Sequence, residues 1–166
     1  MSKPSVKIAS GISPLDDMYE RPGFLFRRAS QVLMHIAEQE TARIGLTPPQ
    51  HVCLIVLDRC KALDQIGLGK AIGMDRATVG QVIRRLENRG LVERSTAPGD
   101  ARRKVVVLTA DGRKLVKDAN KAALHVSDRM LEPLAPLERQ QLTALLSKMV
   151  AALNAQAPTP IEPPEA

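Results

Sequence analysis

Residues 64–94 read DQIGLGKAIGMDRATVGQVIRRLENRGLVER. Asp64 stands where it caps a short helix carrying Ile66, Leu68, Ala71 and Ile72, and Gly73 makes a turn. Asp75 then caps a second helix, which Gly90 stops before an extended segment. In that second helix Val79, Val82, Ile83 and Leu86 recur at helical spacing and point inward. Arg76, Thr78, Gln81, Arg84, Arg85 and Asn88 are left on the outer face, a face that fits a major groove.

Charge is concentrated on the same region. The chain carries a formal +6 over 166 residues, and residues 76–104 alone hold eight Lys/Arg against three Asp/Glu. The eight are Arg76, Arg84, Arg85, Arg89, Arg94, Arg102, Arg103 and Lys104, so the remainder of the chain is close to neutral. A basic helix followed by a basic loop is the footprint of a polyanion-binding surface, because each neutralised phosphate releases condensed counterions. An Arg-rich helix alone is as often just a solvated face; the turn before it and the hairpin after it decide for double-stranded DNA.

Past Gly90, LVERS and KVVVLT flank TAPGDARR, where Pro98-Gly99 signals a bend, so a two-stranded hairpin is predicted: the wing of a winged helix-turn-helix. Upstream, Pro22 to Gly45 is predicted as a long helix with Leu25, Ala29, Val32, Leu33 and Ile36 on one face. Thr47 caps the next, with Pro48 and Pro49 in its first turn. Its run Val52, Leu54, Ile55, Val56 and Leu57 is too apolar for one-sided burial, which puts that helix at the centre. Downstream, Thr109 caps a fifth helix, and Pro133 and Pro136 break it before a sixth. The sixth carries a wide apolar stripe, Leu142, Leu145, Leu146, Met149, Val150 and Leu153, which needs a partner.

The expected organisation is a flexible arm over 1–13, an N-terminal dimerisation helix region over 14–47 and the winged helix-turn-helix over 48–108. C-terminal dimerisation helices follow over 109–154, with a disordered proline-rich tail over 155–166. The fold class is mainly α with a small β-hairpin wing. Helices from both termini make a platform for a homodimer, so two recognition helices about one turn of DNA apart read a pseudo-palindrome.

Composition excludes other classes. Aromatic residues make up 2% of the chain and Trp is absent, which disfavours a sandwich or barrel. No apolar run approaches the ~20 residues needed to span a bilayer, and no signal-peptide core is present, so a cytoplasmic protein without a membrane partner is expected. Cys53 and Cys60 lie two helical turns apart, about 10 Å, beyond the reach of a disulfide. His35, His51 and His125 form no metal spacing with them, and neither a nucleophile–base pair nor a Gly-rich phosphate loop is present. No metal, no cofactor and no enzyme is therefore expected. Cys53 leaves open a thiol redox sensor, although a buried small hydrophobe is the commoner role. A non-specific architectural DNA-binding protein would share the basic helix and wing.

The turn Ala71-Ile72-Gly73-Met74-Asp75, the stretch ATVGQVIRRLENRGLVER and the wing GDARRKVVVLT together resemble the MarR family of bacterial transcriptional regulators. The resemblance spans nearly the whole chain, and its most specific part is the D-x-R of Asp100 and Arg102. It implies that Arg102 enters the minor groove while Asp100 helps to hold it, which suits a narrow groove of concentrated negative potential. Arg76, Thr78, Gln81, Arg84, Arg85, Arg103 and Lys104 complete the expected DNA-binding set. Gly80 departs from the family, which often has Ser or another small polar residue there.

The resemblance also implies a repressor that a small molecule releases from DNA. On the first helix Phe24, Arg28, Gln31 and His35 share one face, with Arg27 beside them and His51 at the start of the next helix. Such a set holds a carboxylate or phosphate near an aromatic ring. RPGFLFRRASQ followed by LTPPQHVCL resembles the branch that controls degradation of aromatic compounds, which makes the expected effector an aromatic acid or its coenzyme A thioester. The adjacent arginines tilt that expectation toward the thioester.

Overall fold

The computed structural model describes residues 18–97 and 99–164; the expected arm over 1–13 and Pro98 lie outside them. The elements are α1 (Pro22–Ala42), α2 (Pro48–Cys60), β1 (Ala62–Leu63), α3 (Gln65–Ile72) and α4 (Arg76–Asn88). There follow β2 (Val92–Ala97), β3 (Asp100–Leu108), α5 (Ala110–Leu131), α6 (Pro136–Leu153) and a 3-10 turn (Asn154–Gln156).

The helix starts are set by local chemistry. Asp64 Oδ1 accepts from Gly67 N–H at 2.7 Å, Asp75 Oδ1 from Ala77 and Thr78 N–H at 2.9 Å each, and Thr109 Oγ1 from Gly112 N–H at 3.1 Å. Each bond satisfies a backbone donor that the first turn cannot pair internally. At α2 the Thr47 N–H donates to Gln50 Oε1 at 3.0 Å. Gly73 ends α3 in the left-handed conformation (φ +68°), which glycine adopts without a steric penalty.

The core is built on α2. Cys53, Leu54 and Leu57 are buried against Leu68 of α3, Val79, Ile83 and Leu86 of α4, Val92 and Val106 of the sheet, and Val116 and Ala119 of α5. The wing is larger than the two-stranded hairpin expected. β1 pairs with β3 through Ala62 with Val107 and Leu63 with Val106, giving an antiparallel sheet in the order β1-β3-β2. A two-residue strand carries no periodicity, so no sequence pattern marks it.

The end helices behave differently. α6 buries none of its residues, and α1 buries only Ile36, Glu40 and Thr41. Leu25, Val32, Leu145, Val150 and Leu153 are 47–66% exposed, so the predicted apolar faces are present but uncovered among the described residues. The tail departs from the expected disorder over residues 155–164. The Asn154 side chain brackets Ile161, donating to its carbonyl at 2.9 Å and accepting from its N–H at 2.8 Å. Glu162 then meets α3, its N–H donating to the Lys70 carbonyl at 3.0 Å and its carboxylate pairing with Lys70 Nζ at 2.8 Å. Low apolar content argued for disorder, and side-chain bonds to the backbone fold the segment instead.

One close approach joins the wing to α5: a methyl group at Gly112 would collide with the Leu91 carbonyl, which itself accepts from Thr109 N–H at 3.1 Å. Gly112→Ala is expected to destabilise the fold by about 1–3 kcal/mol in urea titration, overpacking outweighing the gain in helix propensity. An unchanged midpoint would contradict this packing.

Candidate nucleic-acid interface and effector site

The two-faced reading of α4 holds. Val79, Gly80, Val82, Ile83 and Leu86 are buried, and Arg76, Thr78, Gln81, Arg84, Arg85 and Asn88 are exposed. Thr78 is committed to the cap, its hydroxyl donating to Asp75 Oδ2 at 2.6 Å. That bond, with the Thr78 and Ala77 backbone donors, holds the Asp75 carboxyl below its ordinary value. Its negative charge at the helix N-terminus also complements the dipole.

The wing tip is irregular. Thr96 lies opposite Lys104 but Ala97 opposite Asp100, so the residues between 100 and 104 bulge from the ladder. Bulges re-aim side chains near functional sites, and this one carries Arg102 and Arg103. Asp100 Oδ1 accepts from the Arg102 backbone N–H at 2.9 Å, so in this structure it fixes the arginine's backbone rather than its guanidinium. Lys104 Nζ donates across the hairpin to Thr96 Oγ1 at 2.8 Å.

Two contacts join these parts at the start of α3, and neither is apparent in the sequence. Arg103 donates to Asp64 Oδ2 through Nη2 at 2.8 Å and Nε at 3.1 Å, which ties the wing to α3 and partners a cation expected to face DNA. The Gly67 N–H bond, and then Arg103, hold the Asp64 carboxyl low against the opposing effect of burial. Next to it, Gln65 Nε2 donates to the Arg76 carbonyl at 3.1 Å. A Cβ at Gly80 would stand 2.9 Å from that Nε2, so the absent side chain at 80 is what admits the Gln65 amide. Gln65, Arg76, Ala77, Gly80, Gln81 and Arg84 together line an open depression of about 460 Å3 on this face.

Residues 46–104, the span from the start of α2 through the wing, match the model of the MarR family. A curated relative, the HTH-type transcriptional repressor NicR of Pseudomonas putida, is 34% identical over 150 residues, covering 88% of this chain and 95% of its own. The chain belongs to the MarR family. It is a member of a group of transcriptional regulators, not enzymes. The transcriptional regulator HosA of Escherichia coli O111:H- is 32% identical over 77% of this chain and 98% of its own. Among solved structures, BpsR of Bordetella bronchiseptica, described for regulation of its DNA binding by 6-hydroxynicotinic acid, is 37% identical. It superimposes with a TM-score of 0.73 over 79% of this chain and 94% of its own.

The residues expected to bind an effector in this MarR-family chain do not converge within one protomer. At the start of α1, Phe24 meets Tyr19 edge to face at 5.0 Å, and the Arg27 guanidinium carbon lies 4.8 Å from the Phe24 ring centroid. Arg28 donates to Gln31 Oε1 at 2.9 Å. His35 lies about 16 Å along the helix from Phe24, exposed and bonded to Gln39 Nε2 at 2.9 Å. His51 is inside the fold, and its Nε2–H donates to the Ala119 carbonyl at 2.7 Å. It joins α2 to α5 and has no face toward the α1 cluster; a helix-start histidine and a core histidine look alike in sequence. Tyr19, missed as a single aromatic outside the helical stripe, belongs to the cluster.

Cys53 is buried and unpaired, and burial pushes its thiol up to about 12. It therefore stays protonated and unreactive near neutrality, which disfavours the redox-sensor alternative.

The α1–α5 joint holds a second set of charges that sequence spacing does not bring together. Glu40, 2% exposed, accepts from Arg129 at 2.7 Å and Arg43 at 2.8 Å, with His125 Nδ1 at 3.7 Å. The Arg129 hydrogen bond, and the nearby charges of Arg43 and His125, hold its carboxyl below the ordinary 4.5 although burial opposes them. A lowered folded value means that this stabilisation is complete above about 4.5 and is lost as pH falls through the folded value. Stability measured from pH 7 to pH 3 is therefore expected to fall less steeply in Glu40→Gln, which starts lower at neutral pH. Parallel curves for the two proteins would exclude the coupling.

Proposed function

We propose that this protein is a homodimeric transcriptional repressor that binds a pseudo-palindromic operator and is released by a small aromatic acid. The observation that carries the reading is the split of α4 into an apolar inner face and an outer face of Arg76, Gln81, Arg84 and Arg85. Arg102 is exposed on the wing bulge. In this reading α4 lies in the major groove, where Gln81 suits adenine and an arginine suits guanine, while Arg102 enters the minor groove. Lys104 serves a phosphate, while the Thr78 hydroxyl stays with the Asp75 cap. The uncovered apolar faces of α1 and α6 support the homodimer, since each needs a partner surface that the described residues do not supply.

For the effector, the likeness to BpsR, whose DNA binding is described as regulated by 6-hydroxynicotinic acid, favours a free aromatic acid over the thioester. Phe24 and Tyr19 offer rings and Arg27 and Arg28 offer cations for such a carboxylate. Completed by a partner protomer, this end of α1 becomes the effector site.

Arg102→Ala is expected to weaken operator binding at least about fivefold at physiological salt with unchanged helical circular dichroism, since one good groove contact is worth about 1–3 kcal/mol. Unaltered affinity would remove the wing from the interface. A thermal-shift panel of hydroxylated aromatic and pyridine carboxylic acids and their coenzyme A thioesters separates the two effector classes. Stabilisation and operator release by a free acid, both lost in Arg28→Ala, is the expected result. Release by thioesters alone would reverse the assignment. A protein coating DNA without an effector would show neither release nor a preference of ~10³-fold for its operator.

A further inference from the structure

The two residues that open α3 hold both halves of the DNA-reading surface. Asp64 fixes the wing through a two-point bond to Arg103, 39 residues away. Gln65 fixes the start of α4 by donating to the Arg76 carbonyl across the gap that Gly80 leaves. The root of the wing is already anchored by the pairing of β1 with β3 at Ala62 and Leu63. Beyond Val105, however, β3 enters the bulge, and Arg103 is the bulge residue tied back to the helix-turn-helix. Asp64 therefore does two things with two oxygens: Oδ1 caps α3 and Oδ2 holds the wing.

We propose that Asp64 and Gln65 are positioning residues that set the wing and the recognition helix in one register, and that Asp64, by holding Arg103, keeps it from phosphate and aims Arg102 on the same bulge, the second effect being the one that favours the operator. The inference rests on the DNA-binding reading above. The Arg103–Asp64 pair is half exposed, 58% and 31% at the two side chains, so it is weak enough for a phosphate to compete with it. A free Arg103 would add one sequence-blind contact and raise affinity for any duplex. A held Arg103 adds none, and it aims Arg102 on the same bulge. Gln65 works on the other half: its amide fills the gap left at Gly80, the one residue of α4 without a side chain, and it restrains the backbone at Arg76.

The probes are a duplex selected by the wild-type protein from a random pool and an unselected duplex of equal length, each titrated at several salt concentrations. Asp64→Asn keeps a capping oxygen but loses the charge that holds Arg103. It is expected to raise affinity for the unselected duplex and to steepen its salt slope by ~0.9. The selected duplex gains the same contact but loses the aimed Arg102, so selectivity falls by up to about fivefold, the upper end of what a half-exposed pair is worth. In an Arg103→Ala background the same Asp64→Asn change should leave selectivity and slope where they were. Gln65→Ala and Gly80→Ala should each weaken selected-duplex binding alone, and the double variant should do no more than either, because a methyl at 80 expels the same amide. Effects of Asp64→Asn that are equal in both backgrounds, or additive effects at 65 and 80, overturn the inference while the DNA-binding reading stands. A wild-type protein that enriches no sequence from the pool overturns both.

Discussion

α2 has almost no surface to give to water: of its thirteen residues only Val52 and Arg59 are exposed. Every other element of the lobe is laid against it, because burying a Leu54 or Leu57 side chain completely is worth about 1.5–3 kcal/mol and cannot be achieved by one neighbour. α3 and α4 cover one side, the sheet a second and α5 a third. The polar residues at its start are accommodated rather than excluded. Gln50 accepts from the chain that enters the helix, and His51 reaches the Ala119 carbonyl in the middle of α5. A buried imidazole without that acceptor would be costly, so the bond also fixes where α5 crosses. The outer face of α4 points to solvent because its inner face is taken by α2.

The same constraint explains why the molecule has two kinds of helix. The lobe satisfies its own apolar surface, and α1 and α6 do not. α5 belongs to both regions, packed on α2 near Ala119 and bonded to Glu40 of α1 through Arg129. A shift of α1 against a partner would therefore reach α4 through its packing on α5 and α2, whose shared core is poorly compressible. In the proposed dimer an effector at one end of α1 would act on the distance between two recognition helices without touching either.

Much of this was legible in residues 64–94 because helical periodicity is a local property. Val79, Val82, Ile83 and Leu86 face one way in any α-helix of this sequence, and Asp64, Asp75, Thr109 and Gly73 act within four residues of themselves. The apolar stripes of α1 and α6 were legible for the same reason. What escaped was of another kind. β1 is too short to show alternation, and the Ile161 segment is held by bonds from an asparagine and a glutamate together with one isoleucine against Gly73, none of which has a periodicity.

The helix-turn-helix, the sign and location of the charge, and the apolar faces of the end helices are all written in the linear chain, since each depends on residue type and spacing along one element. That Arg103 is held by Asp64, that Gly80 makes room for Gln65 and that His51 is bonded to Ala119 inside the core follows from the packing alone. Those pairs are separated by 39, 15 and 68 residues, and their contact follows from how helices cross and strands pair around α2. At the centre of α4, the missing side chain at Gly80 reads as an absence in the sequence, and in the fold it is the space through which the start of α3 reaches the recognition helix.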